Sequence, residues 1–295
     1  MRIRKRKDAG FSLVELAVVL IIVGILTGMG ITSLYAYMER ESRATTFVRL
    51  DAVEQALYLY AARNKRLPCP ADGSLAETNA SAGIEQRSGN VCTSGLQYST
   101  VPWRDLGLAQ GASYDGWNRK LTYRVFYDAT GTPAGQRGLV RPGGMDMSQC
   151  VASAADDGGA ITDCASDGST APIEFLRNKG LTIRTNVAPA GSVIRSSSTP
   201  EYGGGAAFVL VSHGKNGTGG YIKSGANPGR SESPPLSSLS GYVMELENLD
   251  FTTDDIYIDS RMSDAQNAVP ANFFDDIIRA PSIHWASDKA NLGPQ

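Results

Sequence analysis

The segment at residues 212–217, SHGKNG, contains the side chains that most resemble catalytic groups. His213 has the chemistry of a general base, and Lys215 carries the charge to contact an anion. The spacing is not that of a phosphate-binding loop, and the chain has no G-x-S-x-G nucleophile elbow. We therefore predict a strand that ends in a Gly-Asn turn, with Lys215 in solvent and no enzymatic activity.

Acidic residues accumulate in a second segment, between Glu245 and Asp259. The density of carboxylates suits calcium, and the candidate ligands are Glu247, Asp250, Asp254 and Asp255. The spacing is not that of an EF-hand, because the glycine at the sixth loop position and the terminal glutamate are missing. A solvated acidic loop is the favoured interpretation and a calcium site the alternative; no other cofactor or metal is expected.

Four cysteines form the third candidate group. They are Cys69, Cys92, Cys150 and Cys164. Zinc is disfavoured, because no CxxC occurs and the only histidines are His213 and His284. Four cysteines allow three disulfide pairings. The sequential pairing, Cys69 with Cys92 and Cys150 with Cys164, closes the shortest loops and is the one that we favour.

Charge is strongly asymmetric at the N-terminus. Five basic residues lie within the first seven positions, and no Lys or Arg then appears before Arg40. Residues 11–38 are apolar, with Glu15 as their one acidic residue. About 20 such residues are enough to cross a bilayer, and the basic leader stays on the cytoplasmic side. The pattern predicts one inner-membrane span followed by an exported chain, where disulfides persist.

The order of signals at this span is unusual. A secretory signal has its small-residue cleavage site after the apolar stretch. Here Gly10 precedes that stretch, so cleavage after Gly10 leaves the apolar segment on the mature protein as an anchor. The basic leader, Gly10, the sequence FSLVE at residues 11–15 and the long apolar run together resemble the prepilin signal of type IV pilins and type II secretion pseudopilins.

The resemblance implies a defined role for three residues. A prepilin peptidase would cleave between Gly10 and Phe11 and N-methylate Phe11. Glu15 is the family's acid five residues into the mature chain, and its role there is assembly. A carboxylate in hydrocarbon is costly and usually has a partner, so the new amine of Phe11 would neutralise it and set the axial register. The alternative is an acid that reaches the membrane interface.

The resemblance also implies a function. We expect a non-enzymatic minor pilin or pseudopilin of a type IV pilus or type II secretion filament. Its partners would be prepilin peptidase, other pilins or pseudopilins through helix packing, and an inner-membrane assembly platform. The alternative is a filament-borne adhesin or substrate-binding module. A net charge of −2 gives no reason to expect nucleic-acid binding. Trp103, Trp117 and Trp285 are candidates for a sugar- or partner-binding surface, although single large aromatics more often pack internally.

The elements that position these residues begin with one long helix. No proline occurs between Phe11 and Leu67, and Pro68 and Pro70 then stop the helix. An apolar stripe at three- and four-residue steps predicts that the second half packs on a globular head. Its members are Phe47, Leu50, Val53, Leu57 and Tyr60 or Ala61. The predicted organisation is a leader at 1–10, a transmembrane and filament-core half at 11–38, an amphipathic half at 39–66 and a periplasmic head at 67–295.

The head reads as short strands among Gly-, Ser- and Pro-rich turns. Strands are predicted at residues 121–127, where alternation indicates half burial, and at 206–212, 241–246 and 256–258. Residues 130–172 read as a disulfide-stapled insertion. Segments such as RLPCPADG at 66–73 and FFDDII at 273–278 resemble a pattern in pseudopilin heads. The predicted fold class is α+β, a long helix packed on an antiparallel sheet with loop insertions.

Overall fold

The computed structural model describes residues 12–96, 98–128, 135–187, 191–224, 243–249, 255–263 and 273–295. Within the first helix, the side chains of residues 26, 27 and 29–33 are not described. The chain divides into two compact units, Met1–Arg43 and Ala44–Gln295. The first unit contains the start of the long helix, and the second contains the rest of that helix together with the whole head.

Helix α1, Leu13–Asn64, is the longest element. It ends where the sequence predicts. Lys65 takes a left-handed φ of 54°, its backbone N–H donates to the Ala61 carbonyl, and Pro68 and Pro70 follow. A left-handed residue and nearby prolines are two features that terminate helices.

A four-stranded antiparallel sheet forms the main layer of the head. Its strands are β3 (Tyr98–Thr100), β4 (Thr122–Val125), β7 (Phe208–Ser212) and β9 (Ile277–Arg279), in the order β3-β4-β7-β9. Strands β4 and β7 are central, and Tyr123 lies opposite Leu210 in their register. The predicted strands at 121–127 and 206–212 are therefore confirmed, with shorter bounds.

Two smaller sheets are also present among the described residues. Strands β5 (Thr182–Arg184), β6 (Val193–Arg195) and β8 (Ile256–Ile258) form a sheet in the order β6-β5-β8. Strands β1 (Arg87–Ser88) and β2 (Val91–Cys92) form a short hairpin. The α+β prediction with antiparallel sheets is confirmed, with one exception: β5 pairs with β8 in parallel. Parallel pairing needs a long connection, and the two strands have one.

Among the described residues, three short α-helices follow α1. They are α2 (Pro172–Leu176), α3 (Val243–Asn248) and α4 (Ile283–Lys289). The strand predicted at 241–246 is wrong where the structure describes it, because residues 243–248 form α3. Met244 and Asn248, four positions apart, are both buried, which is helical periodicity. Met, Leu and Glu are also good helix formers, and in so short a segment they outweighed the apolar pattern.

The core lies between α1 and the main sheet. Leu50, Val53, Leu57 and Ala61 are fully buried there, as the apolar stripe predicts, whereas Phe47 is 41% exposed. The Tyr58 and Phe208 rings lie 6.2 Å apart, between helix and sheet. The prediction that strand 121–127 is half-buried is wrong for β4, whose four residues are all buried. Its polar face is covered as well: Arg124 forms an ion pair with Asp255.

Residues 135–171 contain no helix or strand. Several of their side chains nevertheless join the main core, including Leu139, Met145, Met147 and Cys150. The Met145 backbone N–H donates to Lys65 at the end of α1, and that of Met147 donates to Leu292 near the C-terminus. This part of the predicted insertion is therefore packed into the head and is not a separate compact unit.

Candidate functional site

The first candidate site is the start of α1. Ser12 and Glu15 form a reciprocal capping box: the Ser12 backbone N–H donates to Glu15 Oε2 at 2.8 Å, and the Glu15 N–H donates to Ser12 Oγ at 3.2 Å. Two backbone donors that a helix start leaves unpaired are thereby satisfied. The sequence signal for this contact is the S-x-x-E spacing of residues 12–15, from which no capping box was predicted. Gly10 and Phe11 lie outside the described residues.

The N-terminal part of α1, residues 13–25, has exposed apolar side chains. Leu13, Leu20, Ile21, Ile22 and Ile25 are each more than half exposed within the isolated chain. Among the residues that the structure describes in full, which leave out 26, 27 and 29–33 of α1, no helix combines the length and apolar character needed to cross a membrane.

The second half of α1 is fastened to the head by polar contacts as well as by the core. The Gly116 backbone N–H donates to Thr46 Oγ1 at 2.8 Å. Arg49 Nη1 donates to the carbonyls of Tyr114 and Asp115 at 3.2 and 2.8 Å. These contacts join the helix to the loop that precedes β4, so the position of the helix is fixed along its axis as well as across it.

A second candidate site is a group of three buried carboxylates, which we call the carboxylate cluster: Glu245, Asp275 and Asp276. Oxygen atoms of the three side chains lie within 4.8 Å of one another. Glu245 comes from α3, and the two aspartates immediately precede β9. All three are at most 7% exposed. Tertiary folding thus brings together acids that are thirty residues apart in the sequence.

The cluster is only partly satisfied by hydrogen bonds. Asn216 donates twice: its side chain to Glu245 Oε2 at 2.7 Å, and its backbone N–H to Asp275 Oδ2 at 3.0 Å. The Asn248 side chain donates to Asp276 Oδ2 at 2.9 Å. Asp275 Oδ1 is buried and has no hydrogen-bond partner among the described residues. A buried acceptor without a donor is costly, and such an atom is a candidate metal ligand.

Electrostatics in the cluster oppose ionisation. Burial, followed by repulsion from Asp276 and Asp275, raises the pKa of Glu245 to about 9. Burial also raises the pKa of Asp275 and, well above its usual range, that of Asp276. Three carboxyl groups at this separation require protons or a bound cation, because like charges in a buried site cannot all persist uncompensated.

The loop after β7 forms one wall of the cluster. His213 Nε2 lies 2.9 Å from Thr122 Oγ1, and His213 Nδ1 lies 3.7 Å from Asp276 Oδ1. Thr122, His213 and Asp276 resemble a nucleophile, a base and an acid in their order, but all three are buried. Gly214, at a φ of 55°, packs so closely on Asp275 that a Cβ would collide with the Asp275 backbone carbonyl. The His213 segment therefore closes a buried site, and the general-base role has no structural support.

The calcium ligands predicted from sequence are not the residues of this cluster. Asp250 and Asp254 lie outside the described residues, and Asp255 is held in the ion pair with Arg124. Glu247 is on α3 but does not belong to the three-carboxylate group. Of the wider acidic segment, the cluster includes only Glu245. The missed signal was the Asp-Asp pair at 275–276, which stands among apolar residues where two solvated acids would be unusual.

The cysteines are joined as two disulfides, Cys69 with Cys92 and Cys150 with Cys164. This is the sequential pairing. The first disulfide links the segment after α1 to β2, and the second closes a loop within residues 135–171. Both have Cα separations, 5.4 and 5.0 Å, in the ordinary range for disulfides.

The sequence around the start of α1 matches a known protein family. The family described as "Prokaryotic N-terminal methylation motif" matches residues 5–31, which include Gly10, Phe11 and the Ser12–Glu15 capping box. Proteins with this motif and a long N-terminal helix packed on an antiparallel sheet are pilins and pseudopilins, as the sequence resemblance implied.

One relative makes the family assignment more specific. The chain is 33% identical to type II secretion system core protein G of Aeromonas hydrophila over 115 residues, which are 39% of this chain and 71% of that protein. The chain belongs to the pilin and pseudopilin family. No solved structure matches it. The match leaves most of this chain outside the aligned residues.

Proposed function

We propose that the chain is a minor pseudopilin of a type II secretion filament. Prepilin peptidase cleaves it after Gly10 and N-methylates Phe11. Residues 11–38 hold the product in the inner membrane with the head in the periplasm, and α1 then packs with other pilins or pseudopilins on an inner-membrane assembly platform. In this role the subunit is structural and has no catalytic activity.

The observation that carries this proposal is the methylation motif, with Glu15 in the first turn of α1. The relationship to a core protein of type II secretion favours that system over a type IV pilus. The size of the head and its loops favour a low-copy subunit, because a subunit repeated thousands of times is expected to be more compact. The described head offers no exposed catalytic arrangement around His213.

The processing step is tested by mass spectrometry of the mature N-terminus in cells that express prepilin peptidase. We expect N-methyl-Phe11 as the first residue, and we expect Gly10→Ala to block cleavage, because the peptidase needs an unhindered backbone at the bond. Gly28→Ala, a glycine within α1 with open space around it, is the matched control and should be processed normally. A mature chain that begins at Met1 or at another residue would refute the proposal.

We further propose that the carboxylate cluster binds a divalent cation, with calcium the best chemical match to an all-oxygen site. Glu245, Asp275 and Asp276 would hold the ion, which would supply the positive charge that three buried carboxylates require. The orphaned Asp275 Oδ1 supports this assignment, because a cation gives that atom a partner. The ion would have a structural role, tying α3 to β9 through the cluster.

Thermal unfolding of the full chain in calcium and in chelator tests the cation proposal. We expect calcium to raise the melting temperature and chelator to lower it, since an ion that binds only the folded state stabilises it by mass action. The same shift with magnesium would indicate a site without calcium preference. Equal melting temperatures in calcium and chelator would exclude a structural cation.

A further inference from the structure

The head contains an open groove of about 330 Å³ that the functions proposed above do not use. It lies at the meeting of the second half of α1, the small sheet of β5 and β6, the end of β9 and α4. Its volume falls at the lower end of the range of about 300–1,000 Å³ that is typical of small-molecule sites. All its lining residues belong to the unit Ala44–Gln295.

The polar walls of the groove are held in place before any ligand binds. Arg279 contacts Asp51 at 3.3 Å and Glu54 at 3.8 Å. Arg195 Nε donates to the Ala280 carbonyl at 2.8 Å. The two guanidinium groups therefore occupy fixed positions and carry further N–H donors, which lowers the entropic cost of binding.

The charges that line the groove are balanced. Arg195 and Arg279 carry two positive charges, and Glu54 and Asp259 carry two negative charges. A groove with balanced charge gives no Coulombic advantage to an anion or to a cation. It does offer planar donors and planar acceptors side by side, an arrangement suited to hydroxyl groups, which both donate and accept hydrogen bonds.

Trp285 adds an aromatic surface to these polar groups. It is 52% exposed, whereas Phe274, three residues before β9, is fully buried. The Ser282 side chain accepts a hydrogen bond from the Trp285 backbone N–H at 3.3 Å, which fixes the start of α4. The Lys289 ammonium lies 4.5 Å from the centre of the Trp285 ring. Lys289 covers part of one face of the indole, and the part that stays exposed can stack on the C–H face of a flat ligand.

We propose that this groove binds a neutral pyranose oligosaccharide. The C–H face of one sugar ring stacks on Trp285, while its hydroxyl groups hydrogen-bond with the charged residues Arg195, Arg279, Glu54 and Asp259. Sugar binding in this groove requires the folded head and no other subunit, so it is separate from the filament role. Trp285 is one of the three tryptophans that the sequence marks as candidates for a sugar-binding surface.

Saturation-transfer NMR on the full-length chain tests the proposal, because it detects weak sugar binding directly. The protein is solubilised in a detergent without a sugar headgroup, which would otherwise compete. The probes are cellotriose, maltotriose and chitotriose, with the capped neutral peptide acetyl-Val-Thr-Val-amide as the alternative ligand. We expect a signal from at least one sugar, strongest at ring C–H protons, and no loss of affinity when salt is raised, because the ligand is neutral.

Two variants distinguish the groove from other surfaces. Trp285→Ala is expected to weaken sugar binding at least about fivefold, the size of one aromatic contact, and Asp259→Asn to weaken it by a smaller factor. Trp117→Phe, which changes a tryptophan outside the groove, should bind as the unchanged protein does. No response to any of the three sugars, equal binding by Trp285→Ala, or a response to the peptide alone would overturn the proposal. None of these outcomes tests filament assembly, so a failure of sugar binding leaves the filament proposal standing.

Discussion

At the scale of single residues, Glu15 is the residue on which the filament proposal depends most. In the structure its carboxylate caps α1 through the Ser12 N–H. In the mature subunit it would also face the amine created by cleavage before Phe11. Both interactions place negative charge at the positive end of the helix dipole, so they favour the same side-chain position. Substitution separates them, because a capping box needs an acceptor, whereas pairing with an amine needs a charge.

We predict that Glu15→Gln and Glu15→Ala are both cleaved after Gly10 and both fail to assemble. Glutamine retains the capping acceptor and loses the charge, whereas alanine loses both. Mass spectrometry measures cleavage, and cross-linking between subunits measures assembly. Normal assembly of Glu15→Gln together with failure of Glu15→Ala would assign the role of Glu15 to helix capping and remove the charge-pairing mechanism.

Asp275 is the residue that distinguishes a cation site from a protonated cluster. We predict that Asp275→Asn stabilises the chelator-treated protein by roughly 1–2 kcal/mol at alkaline pH, because it removes one of three repelling charges. The amide oxygen can still accept the Asn216 N–H. The same variant should lose the stabilisation by calcium.

Urea unfolding with and without calcium measures both effects. Glu247→Gln is the matched control, since it neutralises an acid on α3 that does not belong to the cluster. A calcium response that persists in Asp275→Asn and vanishes in Glu247→Gln would move the cation site away from the cluster.

At the scale of elements, the head depends on segments that carry little regular structure. Strands of two to five residues leave much of the chain in turns, so loop order has to come from other constraints. The two disulfides are such constraints. The bond from Cys69 to Cys92 fixes the chain just after α1 ends, and the bond from Cys150 to Cys164 fixes a segment without helix or strand.

We predict that removal of either disulfide by paired Cys→Ser substitution lowers the free energy of unfolding by about 3 kcal/mol, from the entropy of closing loops with sequence separations of 23 and 14 residues. Urea unfolding with and without reductant measures the loss. In a variant that lacks one disulfide, reductant should act only through the other. A reduced wild-type chain as stable as the oxidised one would show that the disulfides do not stabilise the head.

At the scale of the whole molecule, the carboxylate cluster predicts how stability depends on pH. The folded pKa of Glu245 is about 9, against an ordinary value of 4.5, so the folded chain holds a proton that the unfolded chain releases in that interval. Without a cation, the contribution of Glu245 to stability is therefore greatest below its ordinary pKa and is lost as pH rises towards 9. Calcium should reduce this fall, because it binds the ionised carboxylates and replaces their protons.

Melting temperatures in chelator and in calcium, between about pH 5 and pH 9, test this prediction. The two curves should diverge as pH rises, with the larger calcium effect at the alkaline end. The Asp275→Asn variant is the control, and its curve in chelator should be flatter than that of the unchanged protein. Parallel curves in chelator and calcium would contradict the coupling of protons and cation at this site.

The sequence predicted the parts of the fold that rest on local signals. The end of α1 follows from Pro68 and Pro70, and the burial of Leu50, Val53 and Leu57 follows from their helical spacing. Strands 208–212 and 256–258 follow from β-branched and aromatic runs. The strand predicted at 241–246 is wrong, since residues 243–248 form α3. A six-residue apolar pattern does not distinguish a strand from a helix turn until its packing is known.

By itself, the sequence determined the class of the protein, because the leader, Gly10, Phe11 and Glu15 act within one short segment and need no tertiary context to be recognised. Only the tertiary structure decided which residues meet in the head. Glu245 meets Asp275 and Asp276, which lie about thirty residues later in the sequence. Trp285, near the C-terminus, lines the same groove as Glu54 of α1. Such contacts depend on how α3, α4, β9 and α1 pack together, and the spacing of residues along the chain does not reveal that packing.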